Sequence, residues 1–106
     1  MSYDLSLIGI YDGETRVSLF SRNATYNYQP ATEAAGLRSL NDLHGLKGRK
    51  AARILAKTLT TLEEHPEMGD LIRGGGTWGT YEDLLEVLRD LRDASRAWPK
   101  ATWEVS

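Results

Sequence analysis

Two connecting segments of this sequence carry aromatic, amide and carboxylate side chains of the kind that line small-molecule pockets. These side chains are Tyr26, Asn27, Tyr28, Trp78, Tyr81 and Glu82. If the segment 22–30 folds against the start of the last helix, the rings would form the walls of a pocket and the polar groups its rim. The alternative, which we favour, is that Tyr26 and Trp78 anchor loops while Asn27 binds backbone groups near the following helix.

A second candidate site is a cluster of basic residues where the first long helix is predicted to begin. The cluster consists of Lys47, Arg49, Lys50, Arg53 and Lys57. The helix dipole disfavours cations at this end by about a few tenths of a kcal/mol or more. Charges in so unfavourable a place indicate a patch that binds phosphate, a nucleic-acid backbone or an acidic protein. The alternative, which we favour, is a solvated face whose cations pair loosely with Glu63 or Glu64 of the same helix or with the acidic flanking segments.

The sequence lacks the common signatures of enzymes and metal sites. It has no cysteine, which excludes disulfides, thiolate catalysis and Cys-type zinc sites. None of the motifs HExxH, GxSxG, GxxxxGK[ST] or the EF-hand loop occurs in it. The acidic residues of the last helix alternate with arginine, which is typical of a solvated face rather than a cation site. We therefore predict a non-enzymatic protein with no cofactor and no metal.

Composition and charge are those of an ordinary globular domain of 106 residues, with 26% charged residues and a formal net charge of −2. A mildly acidic chain is not expected to bind nucleic acid over its whole surface. No stretch has the roughly 18 apolar residues of a membrane span, and the N-terminus lacks the pattern of a signal peptide. We predict one domain over residues 1–106, located in the cytoplasm and without membrane contact.

The strongest structural signal is an amphipathic helix between Thr80 and Trp98. Thr80 can cap it, Asp83 can complete a capping box, and Pro99 ends it. Its predicted apolar stripe consists of Tyr81, Leu84, Leu85, Leu88, Leu91, Ser95 and Trp98. A stripe of this width needs an apolar surface to cover.

Residues 3–11 and 15–21 predict two strands joined by a tight turn at Asp12-Gly13. With those two residues at the centre of the turn, the facing pairs are Tyr11–Glu14, Ile8–Val17 and Leu5–Phe20. One face of the hairpin then carries Ile8, Ile10, Val17 and Leu19, and the other Leu5, Leu7 and Phe20. Since both faces are apolar, we expect helices to cover one and the other to be partly covered or to meet a partner.

The remaining predicted elements are a short helix ending at Gly36, a leucine-containing loop over 37–48, a helix over 49–65 and a glycine connector over 74–76. Residues 101–106 alternate in the manner of a last strand, with Trp103 and Val105 on one side. The order ββααβ predicts a two-layer α+β fold. In it, two longer helices cover one face of a small sheet made of the hairpin and the last strand.

Two short motifs, Thr25-Tyr26-Asn27 and Trp78-Gly79-Thr80-Tyr81-Glu82, occur in this order, the second at the head of the amphipathic helix. In this pattern residues 23–106 resemble a family of small, mostly uncharacterised proteins of tailed phages and bacterial genomes, with TYN-like and WG[ST]YE-like motifs. The chain departs from that family after Asn27, where a longer apolar helix often follows. The resemblance implies no assigned activity. It implies a phage accessory protein that acts in the host cytoplasm.

We predict that the protein is a non-enzymatic binding module for a host or phage protein, since aromatic residues on loops and apolar hairpin faces are typical of interfaces. A homodimer formed through the hairpin is a related expectation. Two alternatives stay open. One is a nucleic-acid or nucleotide binder that uses the basic residues of 47–57, and the other is a small-molecule pocket at segments 26–28 and 78–82.

Overall fold

The computed structural model describes residues 2–72 and 79–106 and has an α+β fold, as predicted. Its strands are β1 (Ser2–Tyr11), β2 (Thr15–Thr25) and β3 (Thr102–Val105), and its helices are α1 (Gln29–Ala34), α2 (Gly48–Glu64) and α3 (Tyr81–Ala97). Short 3-10 turns occupy Tyr26–Tyr28, Leu40–Leu43 and Pro66–Leu71. The glycine connector predicted over 74–76 lies outside the described residues. No helix in the described ranges has both the length and the apolar character needed to span a membrane.

The turn of the β1–β2 hairpin forms at the predicted residues. Asp12 and Gly13 have φ angles of 49° and 82°, and the Glu14 N–H donates to the Tyr11 carbonyl over 3.1 Å. Positive φ at both positions is what an Asp-Gly turn accommodates. The pairing predicted beside the turn is wrong, since Tyr11 faces Thr15 instead of Glu14.

A β-bulge shifts the pairing again farther along the hairpin. Leu7 faces Phe20 and Ile8 faces Ser18, so that Leu19 is the extra residue. Leu19 and Phe20 both pack against the core beneath the helices. The predicted Ile8–Val17 pair does not form because three residues, and not two, separate Tyr11 from Thr15 at the turn. The predicted Leu5–Phe20 pair is displaced by one residue more at the bulge, since strict alternation leaves no place for an inserted residue.

The two faces of the hairpin are less alike than the sequence predicted. The side beneath the helices buries Tyr3, Leu5 and Leu7. On the opposite side Asn23 donates to the Asp4 carboxylate over 2.7 Å, and the hydroxyls of Ser6 and Ser21 are 3.1 Å apart. The prediction of two apolar faces is therefore wrong for the half of the hairpin away from the turn. Near the turn the exposed apolar side chains are Ile10, Tyr11 and Val17.

The antiparallel sheet has the strand order β2-β1-β3, and β3 brings Trp103 into the core. Trp103 Nε1 donates to Ser95 Oγ over 2.9 Å, and Ser95 Oγ donates to the Leu91 carbonyl over 2.7 Å. These two bonds connect the last strand to α3. They also give the fully buried hydroxyl of Ser95 both an acceptor and a donor partner.

Helix α3 begins as predicted, but its last apolar residue is not buried. The Asp83 N–H donates to Thr80 Oγ1 over 3.1 Å, and the Thr80 N–H donates to the Asp83 carboxylate over 3.4 Å, which completes the capping box. The leucines of the predicted stripe are buried. Trp98 is 39% exposed, because the helix ends at Ala97 and the chain leaves the helical path there.

Helices α2 and α3 run antiparallel, and the end of α3 lies very close to Gly48. A Cβ atom at Gly48 would lie 2.4 Å from the Trp98 carbonyl oxygen and 2.7 Å from that of Ser95. The Gly48 N–H donates to the Ala101 carbonyl over 2.8 Å. The start of α2 therefore lies directly against the end of α3, with no space for a side chain between them.

The leucine-containing loop packs as expected and also covers one edge of the sheet. Leu37, Leu40 and Leu43 are buried. Beyond them the Trp103 N–H donates to the Leu46 carbonyl over 2.9 Å, and the Gly45 N–H donates to the Trp103 carbonyl over 2.8 Å. The side of β3 that faces away from β1 is thus paired with this loop.

Candidate functional site

The two motif segments meet in space. A Cβ atom at Gly79 would lie 2.7 Å from Tyr28 Cε1 and 3.0 Å from Thr25 Cγ2, and Gly79 has a φ of 94°. Only glycine combines this φ with so close an approach. At Gly79 the segments are in direct contact, with no space for a ligand between them. Trp78 lies outside the described residues.

The two tyrosines of the first segment, Tyr26 and Tyr28, are buried to different degrees. Tyr28 is buried, and burial raises the pKa of its phenol. The Asp83 carboxylate adds to this increase, Arg22 opposes it, and Glu86 adds a smaller increase. Tyr26 is 39% exposed, and its ring lies 4.3 Å, centroid to centroid, from the Tyr3 ring.

Tyr81 connects the start of α3 to the end of α2. Its hydroxyl donates to the Leu62 carbonyl over 2.7 Å. Four residues after Leu62 comes Pro66, which has no N–H to continue the helical hydrogen bonds. The Tyr81 hydroxyl therefore satisfies a carbonyl that the end of α2 leaves without a helical partner.

We expect Tyr81→Phe to lower the free energy of unfolding by about 1 kcal/mol, because the Leu62 carbonyl loses its donor. Urea denaturation measures this change. Tyr11→Phe is the matched control, since Tyr11 is 69% exposed and its change should stay within about 0.5 kcal/mol. Equal effects of the two substitutions would contradict a role for the hydrogen bond.

Asn27 lines a cleft of ≈ 650 Å³. The cleft is lined by Tyr26, Asn27, Gln29, Pro30, Glu33 and Ala34. Glu82 is exposed in the first turn of α3 and does not line this cleft. Of the six side chains singled out in the sequence, the structure thus places two in one cleft, and it packs Tyr28 and Tyr81 against neighbouring elements.

Most of the basic cluster lines a cleft of its own, with a volume of ≈ 620 Å³. We call it the basic cleft; it is lined by Lys47, Arg49, Lys50, Arg53, Pro99 and Lys100. All five cations are exposed, no carboxylate lines the cleft, and none of the five forms an ion pair with another residue in the described ranges. The loose pairing with Glu63 or Glu64 that belonged to the solvated-face interpretation is not observed for these cations, and Glu63 pairs with Arg89 instead.

The basic cleft differs from the predicted cluster by two residues. Lys57 does not line it, and Lys100, which the sequence analysis missed, does. Lys100 follows the end of α3 and reaches the start of α2 only because the two helices are antiparallel. Nothing in the sequence around Lys100 distinguishes it from other surface lysines, so its place in the cleft could not be predicted.

The C-terminal end of α3 offsets part of the unfavourable effect that the N-terminal end of α2 has on the cations of the basic cleft. The Trp98 and Ser95 carbonyl oxygens lie close to Gly48, and the C-terminal end of a helix favours positive charge. The Gly48 and Arg49 N–H groups donate to the Ala101 and Pro99 carbonyls over 2.8 and 2.9 Å. Because these amides already have acceptors, an anion in the basic cleft must bind chiefly to side chains.

An apolar cleft of ≈ 640 Å³ adjoins the basic cleft. Its apolar lining consists of Ile8, Gly9, Ile10, Leu19, Ala97, Trp98, Pro99 and Ala101. Lys47, Pro99 and Lys100 line both clefts, and an ion pair between Arg16 and Glu104 lies in the apolar one. The two clefts therefore share a wall, so that one ligand can contact cations and apolar side chains at once.

Charge is divided between the two ends of the helix pair. The end opposite the basic cleft carries the exposed acidic residues Glu63, Glu64, Glu67, Asp70, Glu82, Asp83 and Glu86. This division follows from the antiparallel packing, since α2 begins with cations and ends with carboxylates while α3 begins with carboxylates. Within the described ranges no group of three or more His, Cys, Asp or Glu side chains is placed to hold a metal ion.

Comparison of the chain with protein-family models, curated proteins and solved structures found no match in any of the three. A function for this protein must therefore come from its own surface. On the described surface the basic and apolar clefts share three lining residues, whereas the cleft beside Asn27 shares none with either.

Proposed function

We propose that this protein is a non-enzymatic binding module that recognises an acidic segment of another protein, with at least one apolar side chain in that segment. One observation carries the proposal: the basic and apolar clefts share Lys47, Pro99 and Lys100 as a common wall. A single short peptide can therefore place carboxylates in one cleft and an apolar side chain in the other.

The five cations of the basic cleft supply attraction and orientation. They carry no partner carboxylate within the described ranges, so a ligand need not displace an existing ion pair. Clefts lined by one sign of charge raise the local concentration of the opposite charge and speed its association. The acidic opposite end repels the same ligand, which directs it to this end of the molecule.

The apolar cleft supplies the anchor. Ile10 is 61% exposed and Trp98 is 39% exposed, so both have apolar surface that a partner can remove from water. Burying one leucine or phenylalanine side chain of a ligand contributes about 1.5–3 kcal/mol. The apolar cleft is lined by aliphatic side chains and Pro99, which pack well against a leucine or phenylalanine side chain. A ligand with such a side chain is a protein segment.

A second candidate function is binding of single-stranded nucleic acid. It is favoured by the position of the exposed Trp98 ring beside the cations, because such proteins combine a basic groove with aromatic stacking surfaces. Lys57 would then extend the row that Arg49 and Arg53 form at four-residue spacing on α2. The exposed carboxylates at the other end of the helices make this the weaker candidate.

Fluorescence anisotropy with defined ligands tests the proposal. The probes are a labelled peptide of aspartate, glutamate, leucine and phenylalanine, the same peptide with serine for the apolar residues, and an oligothymidylate. We expect the first peptide to bind more tightly than the other two. Tighter binding of the oligothymidylate would instead support the nucleic-acid candidate.

Lys50→Glu should weaken binding of the acidic–apolar peptide by about tenfold or more, because it places a carboxylate in the basic cleft. Lys57→Glu is the matched control, since it makes the same charge change on the same helix but outside the cleft. Its effect should be several times smaller. Equal losses would show that net charge, and not the cleft, determines affinity, and would overturn the assignment of the site.

The resemblance to phage-encoded proteins supplies the setting of this proposal, an accessory role in the host cytoplasm with a host or phage protein as the partner. Affinity capture from a bacterial lysate, with and without nuclease, tests that setting. A protein retained by the wild type after nuclease treatment and lost with Lys50→Glu would be the expected partner. Loss of all captured material on nuclease treatment would favour the second candidate.

A further inference from the structure

We propose that the outer edge of β2 is a self-association surface, on which a second copy of this chain pairs its own β2 in antiparallel orientation. The product is a symmetric dimer with a continuous six-stranded sheet. This edge shares Arg16 with the lining of the apolar cleft but otherwise lies apart from the two clefts' cations, and the inference does not depend on the proposed function.

The direction of the backbone groups in β2 follows from the bonds of β1. Asp4 and Ser106 exchange two backbone hydrogen bonds of 2.9 and 3.0 Å. The even-numbered residues of β1 therefore direct their N–H and C=O groups toward β3, and the odd-numbered residues direct theirs toward β2. The β2 residues opposite odd-numbered β1 residues are Thr15, Val17, Phe20, Arg22 and Ala24. Apart from the bulge residue Leu19, the residues between them direct their backbone N–H and C=O groups outward, and they are Arg16, Ser18, Ser21 and Asn23.

This outer edge has no cover in the part of the chain that the structure describes. No backbone hydrogen bond from another described element reaches the four outward residues of β2. The other edge of the sheet is treated differently, because the loop before α2 bonds to Trp103 and the Val105 N–H donates to His44 Nδ1 over 3.0 Å. The sheet therefore has one covered edge and one open edge of 11 residues.

The devices that usually block an open edge are mostly missing from β2. Proline and lysine do not occur in it. Its two arginines are paired within the chain, Arg16 with Glu104 and Arg22 with Asp90 at 3.5 Å. Besides these two arginines, the strand carries one further such device, the bulge at Leu19, and the bulge leaves regular strand on both sides.

A second copy is the occupant that fits this edge. Strand pairing needs a partner strand of similar length with free backbone groups, and every copy of the chain presents one in β2. Antiparallel pairing of identical strands is two-fold symmetric, so each backbone contact is made twice and the assembly closes at two copies. The internal pairing of Arg16 and Arg22 removes most of the charge repulsion that two identical edges would otherwise have.

Two measurements on the full chain test the proposal together. Sedimentation velocity at increasing concentration should show a monomer–dimer equilibrium. Amide hydrogen exchange by NMR should show concentration-dependent protection of the Arg16, Ser18, Ser21 and Asn23 amides, while the inward amides of β2 stay protected throughout. A monomer at every concentration, or a dimer whose outward amides exchange as fast as in the monomer, would overturn it.

Ser21→Pro provides the mutational test. It removes an outward N–H and leaves the bonds between β1 and β2 in place, as proline is tolerated on an edge strand. We expect the dimer dissociation constant to rise by about tenfold or more, because a symmetric dimer loses this bond twice. Ser21→Ala is the control, since it also loses the hydroxyl contacts with Ser6 and Ser18 but keeps the N–H.

If Ser21→Pro does not fold, Ser18→Lys replaces it, because a lysine on an open edge opposes pairing without changing the backbone. Unchanged association in whichever of the two variants folds would overturn the proposal. Equal weakening by Ser21→Ala and Ser21→Pro would also overturn it, since the outward N–H would then have no part in association.

Discussion

Trp103→Ala should lower the free energy of unfolding by about 3–5 kcal/mol, as expected for the removal of a fully buried large aromatic side chain. Trp103 has no exposed surface, and its ring meets the Phe20 ring edge-on at a centroid distance of 6.2 Å. The substitution also removes the donor to Ser95 Oγ, in a region from which water is excluded. It therefore disrupts the contact between sheet and helices as well as the core itself.

Urea denaturation followed by far-UV circular dichroism measures this loss. Trp103→Phe keeps most of the apolar surface and removes the N–H, so the difference between the two variants separates packing from the hydrogen bond. We expect Trp103→Phe to cost about 1–3 kcal/mol. A loss below about 1 kcal/mol for Trp103→Ala would contradict the placement of this residue in the centre of the core.

Gly48→Ala should destabilise the protein by about 2–3 kcal/mol, against the trend for glycine in helices. Helix propensity alone predicts a gain of about 0.5–1 kcal/mol from this change. Here the new Cβ would lie 2.4 Å from the Trp98 carbonyl oxygen, and that atom belongs to the backbone. The start of α2 must then move away from the end of α3, and the Gly48–Ala101 hydrogen bond is strained.

Gly9→Ala is the matched control for this prediction. Its new Cβ would lie 2.7 Å from Leu19 Cδ1, the far end of a flexible side chain that can turn aside. Its cost should therefore be smaller than that of Gly48→Ala, as measured by the midpoint of urea denaturation. If Gly48→Ala were as stable as the wild type, the close contact between the two helices would be wrong. The shared wall of the two clefts, which lies beside this contact, would then be in doubt as well.

The register of β2, and with it the set of backbone amides on the open edge of the sheet, could not be predicted from the sequence. The bulge at Leu19 shifts the register of β2 and so changes which of its amides point outward. The bulge in turn depends on how the side chains of both strands pack against the helices. A hydrophobic pattern of period two contains no information about an extra residue. The register, and with it the side of the hairpin that remains polar, had to come from three-dimensional packing.

The sequence by itself determined the elements whose signals are local. The Thr80–Asp83 capping box starts α3, the Asp12-Gly13 turn joins the first two strands, and Pro66 and Pro99 follow the ends of the two long helices. Each of these signals acts within a few residues, through a backbone hydrogen bond or a restricted φ angle. Together with the order of the elements, they were sufficient to predict the α+β fold.

Only the tertiary structure showed which of these elements are in contact and which surface clefts form where they meet. Lys100 joins the basic cleft, and Gly48 has no room for a side chain, because α2 and α3 run antiparallel and the start of α2 lies against the end of α3. These contacts join residues that are far apart in the chain, and local propensities do not encode distances between such residues. The candidate binding site is built from contacts of this second kind, which is why the sequence showed its cations but not its shape.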